Sequence, residues 1–465
     1  MAAILTTQKD DLRDHQALLD LDRRHWVHPV VSPRLHESIG STIWKSAEGI
    51  HLIDASGRRV QDGFSGLWCV NAGYGQQSIV QAAKVQLEQL PYATGYFHFA
   101  SEPAIRLAAR LSELAPAGLS HVLFGQGGSD AVDTAVRMVR YFFNATDRPQ
   151  KKHFIAVQRG YHGSSATSSG LTALPVFHKH FDVPTPLQHH IPSPYPYRHS
   201  EGPDPAVVLS STVRALEAKV AELGADQVAA FICEPILGSG GVIVPPSGYL
   251  RAMRDTCDRL GILLIVDEVI TGFGRTGPMF SCVAEGVAPD VLILAKGLTS
   301  GYAPMSATLI SDTLYQGIAD GAGTDSPVGH GQTYAGHPVS AAIANAVLDL
   351  YLEGGLLEQG QQVGEYFMAQ LKTLEALPHV GEVRGRGLLA GIELVADKNS
   401  KAKPLPQARL GQRILRHAFE DGLVFRAFAD DILGFAPSLN YTEADVDVLV
   451  GKLRRAIERA CSETF

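Results

Sequence analysis

The stretch DVLILAKGLTSGYAP, residues 290–304, carries a lysine close behind a run of aliphatic residues. Residues 291–294 are all apolar and lie between Pro289 and Gly297, a pattern typical of a strand buried on both faces. Lys296 stands at the end of that predicted strand, although lysine is rarely buried because desolvation of an ammonium group is costly. One interpretation is a lysine that reaches back to solvent. The other is a partly desolvated amine that acts as a nucleophile.

The composition indicates a globular chain of more than one domain. With 465 residues it exceeds what one hydrophobic core usually serves, and 45% hydrophobic with 19% charged residues exclude wholesale disorder. The net charge of -8 contains no basic run, so we expect neither a nucleic acid nor an anionic membrane as partner. No apolar stretch approaches the ~18 residues that a membrane span needs.

The N-terminus and the cysteines predict a cytoplasmic location. The segment MAAILTTQKDDLRDHQ lacks the basic start and the long apolar segment of a secretory signal. The five cysteines are odd in number and contain no CxxC pair, which is typical of a reduced chain without a zinc site. The sequence therefore predicts a cytoplasmic protein with no metal.

Strands and helices alternate through the middle of the chain. Between about residues 75 and 340, apolar strands are separated by amphipathic helices, which predicts a largely parallel sheet with helices on both faces. Before this part we expect a helix at 11–25 and a hairpin in GIHLIDASGRRVQDGFSG, and after it a separate α+β unit that includes GLVFRA. The clearest predicted strands are HVLFG (121–125), KHFIAV (152–157), VAAFICEP (228–235), GILLIVDEV (261–269) and DVLILAK (290–296).

Polar residues cluster at the ends of these predicted strands. Ligands of open α/β sheets bind in the crevice beyond the carboxyl ends of the strands. The residues at or just after strand ends are Gly127 to Ser129, Tyr161, His162, Glu234, Asp267, Glu268 and Lys296. So many polar residues in equivalent positions favour one shared binding site.

Asp267 and Lys296 together favour one cofactor. Asp267 follows five aliphatic residues, so its carboxylate needs a cationic partner, either in a structural ion pair or on a bound group. Pyridoxal phosphate needs a lysine for its aldehyde and an acidic partner for its ring nitrogen. The two residues therefore suit that cofactor.

The segment FGQGGSDAVDTAV supplies a strand, a glycine-rich turn and a helix, where a phosphate group can bind. We expect Ser129 to cap the helix and the N–H groups of Gly127, Gly128 and Ser129 to point at the phosphate. The motifs GxGxxG and GxxxxGKS/T are both absent, so dinucleotide and Walker-type nucleotide binding lack support. Tyr161 in RGYHGSS either stacks on a cofactor ring or packs in the core.

Several segments carry a resemblance to a known family, namely LWCVNAGYG, GGSDAVDTA, GYHGSS, EPILGSGGVIVPPSGYL, DEVITGFGRTG, PDVLILAKGLTSGYAPM and GQTYAGHP. The pair DEVITGFGRTG and AKGLTSG, about twenty residues apart, is highly specific. Over essentially its full length the chain resembles the class III pyridoxal-phosphate aminotransferases of fold type I. Within that class it is most similar to the ω-aminotransferases that use pyruvate as acceptor, including the β-alanine:pyruvate type.

The resemblance implies a role for each cofactor-binding residue. Lys296 would form the Schiff base with the cofactor and move the proton, and Asp267 would keep the pyridine nitrogen protonated. Tyr161 and Val269 would pack on opposite faces of the ring, and Thr333 of the partner subunit would reach the phosphate. The implied cofactor-binding set is Gly127, Gly128, Ser129, Tyr161, His162, Glu234, Asp267, Val269, Lys296 and Thr333.

The resemblance also implies the substrate-binding residues, which are Leu67, Trp68, Tyr96, Tyr161 and Arg426. Arg426 would be a mobile arginine that binds the carboxylate of a keto acid and moves away for an uncharged amine. The segment AFADD beside it would offer an acidic place for the displaced side chain. The alternative for Arg426 is a surface ion pair with Asp430 or Asp431.

The implied architecture is an α/β fold with two domains. A large cofactor-binding domain at 71–340 would hold a mostly parallel seven-stranded sheet flanked by helices, and 1–70 with 341–465 would form a smaller α+β domain. Two copies would build shared active sites as a homodimer, which can pair further into a tetramer. The implied function is transfer of an amino group from an amine or ω-amino acid to pyruvate by a ping-pong mechanism. An aminomutase or decarboxylase reaction and a non-catalytic relative are the alternatives, and the amine donor is not identified.

Overall fold

The computed structural model describes residues 15–463 of the chain. Its strands, numbered along the chain, are β1 (Trp44–Glu48), β2 (His51–Asp54), β3 (Arg59–Asp62), β4 (His121–Gly125), β5 (His153–Val157), β6 (Gln188–Ile191), β7 (Val228–Cys233), β8 (Leu263–Asp267), β9 (Val291–Leu294), β10 (Ser306–Ile310), β11 (Val380–Arg386), β12 (Leu389–Leu394), β13 (Leu423–Val424), β14 (Arg426–Ala427) and β15 (Ile432–Phe435).

The α-helices, numbered in the same way, are α1 (15–25), α2 (Pro33–Ile39), α3 (Ser65–Trp68), α4 (Gln77–Gln89), α5 (Glu102–Leu114), α6 (Gly128–Ala145), α7 (Ser168–Leu171), α8 (Pro205–Leu223), α9 (Tyr249–Leu260), α10 (Ser281–Ala284), α11 (Asp312–Ala322), α12 (Pro338–Leu352), α13 (Leu356–Lys372), α14 (Leu410–Glu420) and α15 (Glu443–Ser462). Residues 11–14 of the predicted N-terminal helix lie outside the described residues. Among residues 15–463, no single helix is both long and apolar enough to cross a membrane. Within these residues, one pair of consecutive helices, α12 and the helical residues Leu356–Ala376, is long and apolar enough when the two are taken together, and the pair is bent by 61°.

A seven-stranded sheet forms the centre of the molecule, with the order β4-β10-β9-β8-β7-β5-β6. The neighbouring strands from β9 to β6 in this order pair in parallel, whereas β10 runs antiparallel to both β4 and β9. Every residue of β7 and of β9 is buried, as expected for apolar runs covered on both faces. The predicted mostly parallel seven-stranded sheet is therefore confirmed.

Sequence patterns located most strands of this sheet. The predicted bounds of β4 agree with the observed ones, and β5, β7, β8 and β9 were located to within a few residues. The patterns did not single out β6 or β10. Because β6 reads QHHI and β10 reads SATLI, each lacks the continuous aliphatic run that marks a buried strand. The predicted N-terminal hairpin is present as the antiparallel pair β2 and β3.

Two smaller sheets are built from residues before and after the central sheet, with the orders β1-β2-β3-β13 and β11-β12-β15-β14. The predicted strand GLVFRA is divided between them, because β13 pairs in parallel with β3 whereas β14 pairs antiparallel with β15. Phe425 is buried at the division, and Arg426 follows it in the other sheet. The strands of these sheets lie within the segments predicted for the small α+β domain, whose boundaries stay a prediction.

Candidate active site

Lys296 lies just beyond the end of β9. Its backbone φ is 45°, in the left-handed region, and it begins the short 3₁₀ turn Lys296–Leu298. The next residue, Gly297, has no space for a side chain, because a Cβ there would lie 2.6 Å from Nδ2 of Asn71. Burial lowers the pKa of Lys296, while the charge of Asp267 opposes that shift. The amine is therefore neutral more often than that of an exposed lysine, as a nucleophile requires.

Asp267, the last residue of β8, is held through both of its oxygens. Its Oδ2 lies 2.8 Å from Nδ1 of His162, and its Oδ1 accepts a hydrogen bond of 3.1 Å from the N–H of Val269. Both side chains of the Asp267–His162 pair are buried. Nε2 of His162 is buried as well and has no hydrogen-bond partner within the described residues. These contacts keep the carboxylate in one orientation.

Glu234, directly after β7, connects two loops of the site. Its carboxylate accepts hydrogen bonds of 3.0 Å from the N–H of Tyr161 and 2.9 Å from the N–H of Gly238. Burial raises the pKa of Glu234 to about 7, against a lowering effect of His162. The ring of Tyr161 packs against Phe177, with 5.0 Å between the ring centroids. Glu234 therefore positions the tyrosine beside the sheet edge.

The N-terminus of α6 differs from the predicted arrangement. Gly127 is the N-cap residue, so the prediction that Ser129 caps the helix is wrong. Asp130 satisfies this turn instead, because its carboxylate accepts the N–H groups of Gln126 and Gly127 at 2.7 Å each. The N–H of Gly127 is thus engaged, whereas those of Gly128 and Ser129 have no acceptor in the described part of the chain. These two N–H groups remain for an anion.

Val269 lies beside this end of α6. A Cβ at Gly128 would come within 3.2 Å of Cγ1 of Val269, so the glycine permits a close approach between the helix and the segment after β8. Asp267 directly precedes that segment. The free N–H groups of Gly128 and Ser129 and the buried carboxylate therefore lie at the same edge of the sheet.

Arg426, the first residue of β14, is half-buried beside two aromatic rings. Its guanidinium carbon lies 4.5 Å from the ring centre of Phe428 and 6.0 Å from that of Trp68. Burial lowers the pKa of Arg426, against a raising effect of Tyr161. No hydrogen bond or ion pair joins its side chain to any residue between 15 and 463. The guanidinium is therefore available to an anion.

The acidic residues after Arg426 are bound elsewhere. Asp430 forms an ion pair with Arg159. Oδ1 of Asp431 accepts a hydrogen bond of 2.8 Å from the N–H of Gly411. The alternative that Arg426 forms a surface ion pair with either aspartate is therefore wrong. The expectation that AFADD offers an acidic place for the displaced arginine stays a prediction, because the structure shows Arg426 in one position only.

The predicted substrate-binding residues fall into two groups. Trp68 is buried, with its ring centroid 6.1 Å from that of Phe428, and Leu67 beside it is 60% exposed. Tyr96 lies beside Gly331, where a Cβ would come 2.9 Å from its hydroxyl. No ring contact or hydrogen bond joins Tyr96 to Trp68 within the described residues. One chain thus brings the tryptophan and the arginine together, while Tyr96 contacts a different segment.

Thr333 lies on the same exposed surface as Tyr96. The hydroxyl of Tyr92 donates a hydrogen bond of 2.9 Å to the carbonyl of Thr333. The side chain of Thr333 is exposed and makes no hydrogen bond to residues 127–129 in the part of the chain that is described. Thr333 is therefore free to contact another molecule.

Sequence reasoning missed Phe428, Gly238 and Phe177. Phe428 follows Arg426 at i+2, so the alternation of a strand already indicates that the two side chains share a face. Gly238 belongs to EPILGSGG, and a Cβ there would come 3.2 Å from the Trp68 ring. No signal in the sequence marks Phe177, which reaches the site from a separate 3₁₀ turn.

The chain belongs to the class III aminotransferases, because the family model Aminotransferase class-III matches residues 33–457. It is similar to the diaminobutyrate–2-oxoglutarate transaminase of Halomonas elongata, with 38% identity over 96% of each chain. The putrescine–pyruvate aminotransferase of Pseudomonas aeruginosa is 37% identical over 97% of each chain. A solved structure of the ω-transaminase from Pseudomonas jessenii in complex with PMP has a TM-score of 0.92 and 38% identity, covering 95% of this chain and 98% of that one.

The protein is therefore an aminotransferase that depends on pyridoxal phosphate and acts on small molecules. The residues present fit that cofactor. Lys296 offers an amine of lowered pKa for the aldehyde, and Asp267 offers a buried, oriented carboxylate for the ring nitrogen. The N–H groups of Gly128 and Ser129 at the start of α6 suit the phosphate. The role of each residue toward the cofactor stays a prediction.

Proposed function

We propose that the enzyme transfers the amino group of a primary amine or ω-amino acid to pyruvate. The observation that carries this proposal is Arg426, whose half-buried guanidinium lies over Phe428 without a carboxylate partner among the described residues. A planar guanidinium binds a carboxylate through two parallel hydrogen bonds, and pyruvate carries one such group. Arg159, in the loop that carries Tyr161, is already paired with Asp430. Arg426 therefore accounts for one carboxylate, which favours a monocarboxylic acceptor over 2-oxoglutarate.

The two named relatives differ in their acceptors. The enzyme of Halomonas elongata is named for 2-oxoglutarate and that of Pseudomonas aeruginosa for pyruvate, at nearly equal identity to this chain. Sequence identity therefore does not choose between the acceptors. The charges of the site support pyruvate, because a second carboxylate would need a second unpaired cation.

Different residues would serve different parts of the cofactor. When bound, pyridoxal phosphate supplies an electron-accepting ring in conjugation with the amino-bearing carbon of the substrate. Nζ of Lys296 would hold the aldehyde until the substrate amine displaces it, and the freed amine would then move the proton from that carbon to the aldehyde carbon of the cofactor. Asp267 would hold the ring nitrogen protonated, while His162 keeps the carboxylate in place. The N–H groups of Gly128 and Ser129 would bind the phosphate.

An uncharged amine donor must fit beside the same arginine. A buried guanidinium without an anion costs several kcal/mol, so its surroundings decide which donors are accepted. The rings of Phe428 and Trp68 reduce that cost, since a guanidinium over an aromatic face gains about 0.5–2 kcal/mol. Tyr161 and Val269 would cover opposite faces of the cofactor ring.

The exposed surface around Tyr96 supports a homodimer with shared active sites. Phe97 and Phe99 are 82% and 63% exposed there, and Tyr334 next to Thr333 is 55% exposed. Exposed aromatic rings in one region are typical of a protein interface. A second copy bound here would bring Thr333 of the partner subunit to the phosphate, and such dimers can pair further into a tetramer. The five cysteines are all free, which supports a cytoplasmic location.

Stopped-flow measurement of the two half-reactions tests the proposal. Arg426→Leu should raise the Michaelis constant for pyruvate roughly a hundredfold, because loss of a charge-assisted pair costs about 3 kcal/mol. The half-reaction with a simple aryl-alkyl amine should stay nearly unchanged. Arg416→Leu, which removes an exposed arginine of α14, is the control. Equal damage to both half-reactions would show that Arg426 is structural. Faster turnover of the wild type with 2-oxoglutarate than with pyruvate would refute the proposed acceptor.

A further inference from the structure

Three side chains near the N-terminus meet in one small cluster. Asp22 in α1, His28 in the following turn and His36 in α2 contribute a carboxylate and two imidazoles. Nε2 of His28 lies 2.7 Å from Oδ1 of Asp22, and Nε2 of His36 lies 3.3 Å from Oδ2. These candidate ligand atoms all lie within 4.8 Å of one another. The cluster has no part in the active site described above.

His36 is enclosed in this cluster without a hydrogen bond from its outer ring nitrogen. Its side chain is 9% exposed, and its Nε2 is buried with no hydrogen-bond partner among residues 15–463. Oδ2 of Asp22, 3.3 Å away, forms no hydrogen bond with it, and a buried nitrogen without a hydrogen bond costs about 1–3 kcal/mol. A cation between this nitrogen and the carboxylate of Asp22 would give the nitrogen a partner.

The interior of the segment is polar rather than apolar. Between residues 15 and 49, His36 is the only buried residue. By contrast, the apolar residues Trp26, Val27 and Val30 are 64%, 85% and 67% exposed. The segment therefore has no apolar core of its own. Short segments without such a core are stabilised by disulfides, by association with another chain or by a metal ion, whose binding energy then stabilises the fold.

We propose that Asp22, His28 and His36 bind a divalent cation of the zinc type. Imidazole nitrogens and a carboxylate oxygen are the ligands of zinc sites with an open fourth position, at about 2.0–2.2 Å from the metal. Tetrahedral ligands at that distance stand roughly 3.3 Å apart, so the contact between His28 and Asp22 has to widen by about half an ångström. The hydroxyl of Ser41 donates a hydrogen bond of 2.8 Å to Oδ2 of Asp22 and orients the carboxylate. Water would complete the coordination.

The competing explanation is a hydrogen-bonded cluster that holds α1 and α2 together without a metal. Without a metal, the hydrogen bond from His28 lowers the pKa of Asp22, so an ionised carboxylate does not by itself indicate a metal site. Only the metal site binds a cation in a fixed ratio to the chain. The sequence-based expectation of no zinc site rested on cysteine spacing, which cannot detect ligands that are histidine and aspartate.

Metal counting on the tag-free holoenzyme distinguishes the two explanations. After dialysis against zinc sulfate and then metal-free buffer, elemental mass spectrometry should find one zinc ion per chain in the wild type. His36→Gln and Asp22→Asn should each lower the affinity for zinc by more than about tenfold. Replacing a residue that only hydrogen-bonds to a metal ligand already lowers metal affinity by about that factor. His121→Gln is the matched control. It also removes an imidazole that lies 3.3 Å from a carboxylate, that of Asp312, but at a place outside the proposed metal site. This control should retain its zinc.

Limited digestion with trypsin gives a second measurement on the wild type alone. The side chain of Arg34 is 90% exposed and lies between His28 and His36 in the chain, so trypsin can reach it. Zinc sulfate should slow cleavage after Arg34 several-fold. Zinc binds only when α1 and α2 are packed together, so it reduces the fraction of chains in which this segment is locally unfolded and open to trypsin. Equal zinc content in the wild type and His36→Gln would overturn the proposal, and so would cleavage at Arg34 that zinc does not change.

Discussion

Nδ1 of His162 lies 2.8 Å from Oδ2 of Asp267, and this contact links the loop after β5 to the end of β8. Both side chains are buried, so the interaction is electrostatically stronger than it would be in water. The Nδ1–H of His162 donates a hydrogen bond to Oδ2 of Asp267, and the N–H of Val269 donates one to Oδ1. The carboxylate is therefore oriented before any ligand binds, which is how preorganised sites stabilise charge.

Asp267→Asn should leave the fold intact and slow the amine half-reaction about a thousandfold. The amide keeps the volume of the side chain but loses the charge that holds a ring nitrogen protonated, and a barrier higher by ~4 kcal/mol corresponds to that factor. Stopped-flow absorbance of the cofactor measures the rate. Near-normal turnover of this variant would show that the charge is not needed.

His162→Gln should have a smaller effect, because it removes one hydrogen bond and leaves the charge of Asp267. A hydrogen bond to a charged group contributes about 1.5–3 kcal/mol, so the same half-reaction should slow roughly ten- to hundredfold. His190→Gln is the control, since that histidine contacts the backbone carbonyl of Leu171 at 3.0 Å and no carboxylate. A loss as large as that of Asp267→Asn would mean that His162 takes part directly in the chemistry.

Borohydride reduction of the holoenzyme should attach the cofactor to Lys296, because a partly buried amine of lowered pKa is the group that attacks the aldehyde. Lys151 is an internal control in the same sample. Its Nζ is also buried but donates hydrogen bonds of 2.9 Å to three backbone carbonyls. Peptide mass mapping should find the adduct on Lys296 and none on Lys151, and Lys296→Ala should lose multiple turnovers. An adduct on any other lysine would disprove the assignment.

Glu234 should destabilise the cofactor-free protein at neutral and higher pH. Burial raises its pKa from 4.5 to about 7, so the folded state prefers the protonated carboxyl. The cost of ionisation is absent below about pH 4.5, grows up to about pH 7 and then stays at about 3 kcal/mol. Glu234→Gln carries no charge, so its melting temperature relative to the wild type should rise between about pH 5 and pH 8. If the difference in melting temperature between Glu234→Gln and the wild type did not change with pH, the raised pKa of Glu234 would be contradicted.

Mixed dimers test whether Thr333 serves the other subunit. Thr333→Asp places a negative charge beside the phosphate and should weaken cofactor binding, and Lys296→Ala is inactive. If the sites are shared, a heterodimer of the two variants contains one site with both changes and one intact site. An equal mixture with exchanging subunits should then recover about a quarter of wild-type activity. Absence of recovery would mean that Thr333 belongs to its own subunit's site.

The sheet, Asp267 and Lys296 could be located from the sequence because burial on both faces is a local property of an aliphatic run. The residue that ends such a run is then placed at the edge where ligands bind. The cap of α6 could not be predicted in the same way. Both Ser129 and Asp130 are suitable residue types, and the geometry of the turn decides that Asp130 takes the N–H groups of Gln126 and Gly127.

The surroundings of Arg426 were the least predictable part of the site. Asp430 lies near Arg426 in the sequence yet pairs with Arg159, which is 271 positions away. No local pattern records which arginine an aspartate selects, because the choice depends on how distant segments pack. The family resemblance pointed to Arg426 as a substrate-binding residue but carried no information on the ring of Phe428 beneath it.

The division of GLVFRA between two sheets also bears on how the chain is made. β13 completes the sheet that begins with β1, and Arg58 donates a hydrogen bond of 3.2 Å to the carbonyl of Phe419. A ribosome must therefore synthesise the chain as far as Val424 before β3 gains its last neighbour. Until then β3 presents an unpaired edge, and pairing over such a separation is slow. We expect nascent chains to need protection from aggregation until synthesis is nearly finished, and truncation before Leu423 to give insoluble protein rather than a smaller enzyme.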